Sequence, residues 1–197
     1  MNKFLTTKTI SALGILTAIT VALQAIGNII PPIFGVTINL TLIPVCIAAC
    51  LYGPLAGLWI GFINGVMVLF APSTIALFFP WSGYGTVITC LTKSAIAGLV
   101  AGFVFKALKN KNDRIGCIIA SLLVPVINTS LFLLYCQLFF INGVKELAGD
   151  TPVWTFMIVS FVGLNFVVEL LINGVLSPVV YSTYTAFQRK NRRPDLD

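Results

Sequence analysis

Apolar residues run through this chain in long blocks separated by short Pro-, Gly- or charge-rich breaks, without the one-on, one-off alternation of half-buried strands. The blocks over residues 9–29, 84–108, 115–141 and 153–187 reach the roughly 20 residues that cross a ~30 Å hydrocarbon core at ~1.5 Å per residue. Shorter blocks lie at 37–52 and 55–71. The pattern predicts an all-α membrane protein with six transmembrane helices forming one domain over residues 1–197, and not a barrel of short alternating strands. Pro31, Pro32 and Gly35 break the chain after the first block, Gly53-Pro54 forces a tight turn, and 142–152, with Lys145, Glu146 and Asp150, is a loop. Residues 72–85, with Pro72, Pro80, Trp81 and Tyr84, read as an interfacial connection.

Composition supports a lipid solvent. The chain is 58% hydrophobic and 9% charged and has no histidine, whereas soluble domains carry about 25% charge. Lys3 and Lys8 before the first block also fit the n-region of a cleaved signal peptide, but the block exceeds a typical h-region and no small-x-small cleavage site precedes Pro31-Pro32, so it is counted as span one. With the N-terminus inside, ten basic residues (Lys3, Lys8, Lys106, Lys109, Lys111, Arg114, Arg189, Lys190, Arg192 and Arg193) gather on the cytoplasmic side and only Lys145 lies outside. An even number of spans keeps both basic ends there, so the N- and C-termini are both expected in the cytoplasm. The basic residues flank span ends and carry no interleaved aromatic platform, which argues against a nucleic-acid partner. The five cysteines all fall inside apolar blocks, without a C-x-x-C pair, and read as small core residues.

No histidine base, nucleophile elbow, Walker loop or paired carboxylate is present, so an enzyme is not expected, and no metal-ligand set is visible. Two ionisable residues stand out because charge at membrane depth is expensive and usually functional. Lys93 lies nine residues past Tyr84, and Glu169 fifteen from both Trp154 and Tyr184, so both are expected near mid-membrane. They form either a structural ion pair or the polar wall of a ligand cavity. Asn165, Glu169 and Asn173 at i, i+4 and i+8 share one helix face and favour the cavity. Asn39, Asn64, Asn128 and Gln137 are helix glue individually, worth about 0.6 kcal/mol, or an interior polar pocket together, with Trp81 and Tyr84 at its mouth or merely anchored at the interface. Gly14, Ala18 and Ala22 make a flat strip on span one, suited to internal packing or to a docking partner.

The combination of length and topology with Ala18-x-x-x-Ala22, the segment Leu51-Tyr52-Gly53-Pro54-Leu55-Ala56-Gly57 and Asn128-Thr129 after Pro125 resembles the substrate-binding S components of energy-coupling-factor (ECF) vitamin transporters. The resemblance implies a multi-pass protein of the bacterial cell membrane that captures a water-soluble vitamin outside the cell. It implies no cofactor bound by this chain: a membrane coupling subunit docks on the Gly14/Ala18/Ala22 face, two cytoplasmic ATPases use the ATP, and loops after spans one and three act as a lid. Lys93, Glu169, Asn128, Asn165, Asn39, Trp81 and Tyr84 are the candidate substrate-binding residues. Lys93 suits a carboxylate and the other polar groups suit hydroxyls or an amide, a set that matches pantothenate better than riboflavin or folate. The alternatives from other classes are a stand-alone secondary transporter or channel using Lys93 and Glu169 for coupling or gating, and a structural assembly factor with no ligand.

Overall fold

In the computed structural model, which describes residues 7–29 and 40–192, the chain is helical with no β-strand among those residues. The elements are α1 (Thr7–Ile29), α2 (Leu42–Tyr52), α3 (Pro54–Leu69), α4 (Pro72–Leu77), α5 (Gly83–Leu108), α6 (Asp113–Phe139), α7 (Ile141–Ala148), α8 (Val153–Phe156) and α9 (Gly163–Arg192), the last two joined by a π-helical stretch, Met157–Val162. Four segments, Thr9–Ile29, Gly83–Leu108, Asp113–Phe139 and Val153–Arg189, are long and apolar enough to cross a bilayer, and α2 and α3 are shorter apolar helices of 11 and 16 residues. The expected second span begins at 37, but its first three residues lie outside the described residues, and helix is observed from Leu42.

Two segments expected to be irregular are helical. Pro72 sits in the first turn of α4, where its missing N–H costs nothing and its fixed φ favours the helix. In the expected loop 142–152, α7 buries Gly143, Val144 and Ala148 while exposing Lys145 and Glu146, and ends at Gly149 with φ 54°. The sixth block is not one uniform helix: the Gly163 N–H bonds Ile158 O, five residues back, and Gly163 takes φ 22°, a conformation that glycine alone tolerates easily.

The tightest packing joins α3 to α5, which run antiparallel. Gly57, Gly61 and Gly65, one turn apart on α3, press on the backbone of Gly98, Ser94 and Cys90 of α5, and Gly102 presses on Pro54. A Cβ placed on Gly57 or Gly61 would run into the Gly98 or Ser94 carbonyl oxygen, and one on Gly98 into that of Gly57. In lipid, helices associate through van der Waals contact and not through hydrophobic expulsion, so removing side chains from the seam is what permits this contact. Against this pair α2 contributes Leu42, Val45, Cys46, Ala48 and Ala49, all fully buried, to a core shared with Val124, Phe105 and Val180. The five cysteines are free and buried, as expected of small core residues.

Both intrahelical prolines leave a carbonyl without its usual helical donor four residues later, and in each case a side chain supplies one. Pro125 frees Ser121 O, which accepts from Cys46 Sγ at 4.0 Å, and Pro178 frees Gly174 O, which accepts from Ser177 Oγ at 2.7 Å.

Gly98→Leu, which forces a branched side chain into backbone, is expected to lower the melting temperature of the detergent-solubilised protein by about 5 °C or more. Gly14→Leu, at a position with no neighbour within 4 Å, should leave it nearly unchanged.

Candidate functional site

The end of the bundle away from the basic residues contains a cavity of about 450 Å³, in the size range of small-molecule sites. Lys93 of α5, Asn128, Thr129 and Phe132 of α6, and Asn165 and Glu169 of α9 line it, together with Gln24 and Asn28 of α1 and the α3–α4 corner from Ala71 to Thr74. Four of the seven expected binding residues, Lys93, Asn128, Asn165 and Glu169, therefore meet around one space.

Each polar side chain is held differently. The Lys93 ammonium rests 5.1 Å from the centroid of the Phe132 ring, where the π face attracts a cation without neutralising it. Asn128 ends a buried chain in which Asn64 Nδ2 donates to Ser94 Oγ (3.1 Å) and Ser94 Oγ donates to Asn128 Oδ1 (3.0 Å). That chain links α3, α5 and α6 and uses the amide oxygen of Asn128, not its amide nitrogen. The helical row Asn165, Glu169, Asn173 divides: the first two line the cavity, while Asn173, 2% exposed, points into the core, where its Nδ2 donates to Glu169 O at 2.8 Å and Cys46 Sγ approaches its Oδ1 at 3.9 Å. The π-helical stretch precedes this row and carries Phe161, another cavity residue.

Two expected binding residues are not at the cavity. Trp81 is locked into an aromatic cluster, 5.6 Å from Phe78 and 6.4 Å from Phe140, with its indole seated on Gly143 of α7, where any Cβ would collide with the ring. Tyr84 is 68% exposed and packs edge-on against Phe139 at 5.5 Å, on the outer surface. Aromatic packing, and not the cavity, explains both positions. Asn39 lies outside the described residues. On α1, Gly14, Ala18 and Ala22 are exposed along one face, flanked by Ile15 and Ile19, while Leu13 and Thr20 face inward.

Gln24, Asn28 and Ser94 were not among the residues expected at the site. Gln24 Nε2 donates to Asn28 Oδ1 at 3.0 Å, and their i, i+4 spacing at the end of an apolar helix was the available signal. Chemically, the cavity offers one ammonium, one carboxyl group and several carboxamides in a low-dielectric setting. Such a donor set suits a small polar or charged molecule.

A membrane-embedded helical bundle with a polar cavity at one end defines a class of solute-binding membrane proteins. The sequence profile of the ECF transporter substrate-specific component matches residues 8–183, and the chain belongs to that family. Its members are the substrate-binding subunits of transporters. No curated protein and no solved structure matches the chain.

Removing the middle of the polar chain with Ser94→Ala strands two buried carboxamides. The expected loss is about 1–3 kcal/mol of stability, or roughly 2–10 °C in melting temperature, measured by a thermal shift of the purified protein.

Proposed function

We propose that this chain crosses the cell membrane six times with both termini in the cytoplasm, captures a water-soluble vitamin from outside and delivers it inward as the S component of an ECF transporter. The observation that carries the reading is the convergence of Lys93, Asn128, Asn165 and Glu169 on one cavity in a chain of this family. The excess of basic residues at the opposite end supports an outward-facing cavity. The short helices α2 and α3, joined by the Gly53-Pro54 turn, serve as the second and third crossings, covered by longer neighbours.

Pantothenate is the substrate that fits the donor set best. Its carboxylate suits Lys93, and its amide and hydroxyls suit the carboxamides of Asn128 and Asn165 and the Glu169 carboxyl. Riboflavin is less well matched because Trp81 and Tyr84, the aromatic residues that would stack on it, lie away from the cavity. The driving partners are a membrane coupling subunit and two cytoplasmic ATPases, with ATP consumed by them and no cofactor held here. The exposed Gly14, Ala18 and Ala22 face of α1, open to close approach by another helix, is the docking strip for the coupling subunit.

A calorimetric screen of the purified protein against water-soluble vitamins is expected to give one tight ligand, pantothenate, without ATP or an ion gradient. Lys93→Ala should weaken it by about 2 kcal/mol or more, roughly thirtyfold. Absence of binding across the panel would overturn the reading.

Ala18→Trp separates docking from binding. Uptake into cells carrying the complete transporter should be abolished while the affinity of the purified subunit stays at the wild-type value. Parallel loss of both would assign α1 to internal packing.

A further inference from the structure

The cavity does not end at Phe132. Behind it lies a smaller chamber of about 30 Å³, walled by Phe78, Phe132 and Phe140 and by Thr86, Thr89 and Lys93 of α5. Val68, Thr74, Lys93 and Phe132 line both spaces, so the Lys93 ammonium resting on the Phe132 ring forms part of the partition between them. The chamber is large enough for one water-sized group, which needs roughly 10–15 Å³.

Three neighbouring threonines of α5 behave differently. Thr86 Oγ1 donates to Ser82 O at 2.8 Å and Thr92 Oγ1 to Ile88 O at 2.7 Å, the ordinary bond of a helical threonine to the preceding turn. Thr89, between them and only 3% exposed, makes no such bond, and its hydroxyl finds no hydrogen-bond partner among the described residues. Buried hydroxyls are usually partnered, and of the two without a partner among the described residues, Thr89 Oγ1 and Ser121 Oγ, only that of Thr89 belongs to the wall of the chamber.

We infer that Thr89 is a specificity-determining residue: its hydroxyl meets a single hydroxyl-sized polar group of the ligand inside the chamber while Lys93, one helical turn on, takes the ligand's carboxylate. This assignment rests on the binding role proposed above and narrows the substrate class to a hydroxylated carboxylate. The volume admits one small polar group with its carbon, and apart from the Lys93 ammonium, which the main cavity shares, the walls of the chamber are uncharged. Entry requires the ammonium to leave the Phe132 face, and a carboxylate in the main cavity is the group that draws it off. Binding of the acid and opening of the chamber are thereby one movement.

Thr89→Val keeps the shape and removes the hydroxyl. With D-pantothenate as the calorimetric probe, Thr89→Val is expected to bind at least about tenfold more weakly than wild type and Thr89→Ser within about threefold of it. Thr89→Val binding as tightly as Thr89→Ser overturns the inference. The ligand-free protein supplies a second test, independent of the substrate: Thr89→Val should melt about 2–4 °C higher than wild type, because a buried hydroxyl without a protein partner is removed. An equal or lower melting temperature assigns the hydroxyl to an ordered structural water and overturns the inference as well. If wild type does not bind pantothenate, the substrate assignment fails, and the melting comparison alone decides the role of Thr89.

Discussion

The contact of α3 with α5 is the constraint on which the remaining geometry depends. Backbone meets backbone at Gly57–Gly98, Gly61–Ser94 and Gly65–Cys90, which fixes both the separation and the register of the two helices. That register sets Asn64 beside Ser94 and carries Val68, at the end of α3, to the cavity wall it shares with Lys93. Larger residues along the seam would push α3 outward. The polar chain through Ser94 to Asn128 would then break before any cavity residue changed. The cavity groups are thus positioned by residues that do not line the cavity, and a seam without side chains is a stiff way to do it, since no rotamer can relax.

Within a bilayer, each buried polar group needs a partner inside the protein, and this chain meets part of that demand with side-chain bonds to freed or neighbouring carbonyls. The carbonyls freed by Pro125 and Pro178 are taken by Cys46 and Ser177, and Asn173 bonds back to the previous turn. Against that background the groups lining the cavity differ in kind. Lys93 leans on a π face, Asn128 gives its amide oxygen, not its amide nitrogen, to the polar chain, and Thr89 has no protein partner among the described residues. Polarity satisfied internally holds helices together, whereas polarity directed at a cavity is available to a solute.

Much of this was legible from the chain. Long apolar blocks predicted the four long helices closely, because bilayer thickness leaves little freedom in helix length. Lys93 and Glu169 could be singled out for the same reason: charge in an apolar block has few uses. The α3 side of the α3–α5 seam is written plainly as Gly57-x-x-x-Gly61-x-x-x-Gly65, the same small-residue spacing as the strip on α1. Trp81 was harder to place because an aromatic residue beside a proline fits a cavity mouth and an aromatic cluster equally well, and its seat on Gly143 lies far along the chain. Ser94 was invisible for a different cause: a lone serine in an apolar helix has no signature until Asn64 and Asn128 are brought to either side of it. The π-helical stretch before Gly163 likewise depends on a glycine conformation that composition does not announce.

The helix α1 joins the two halves of the functional reading. Its first two-thirds present Gly14, Ala18 and Ala22 outward, and its last two turns or so supply Leu23, Gln24, Gly27 and Asn28 to the cavity wall. A partner changes the affinity of a site only by contacting one conformation better than another. On the proposed reading a coupling subunit seated on the outward face of α1 therefore acts on the cavity through a rigid rod about 35 Å long at ~1.5 Å per residue, without passing through the tightly locked α3–α5 seam.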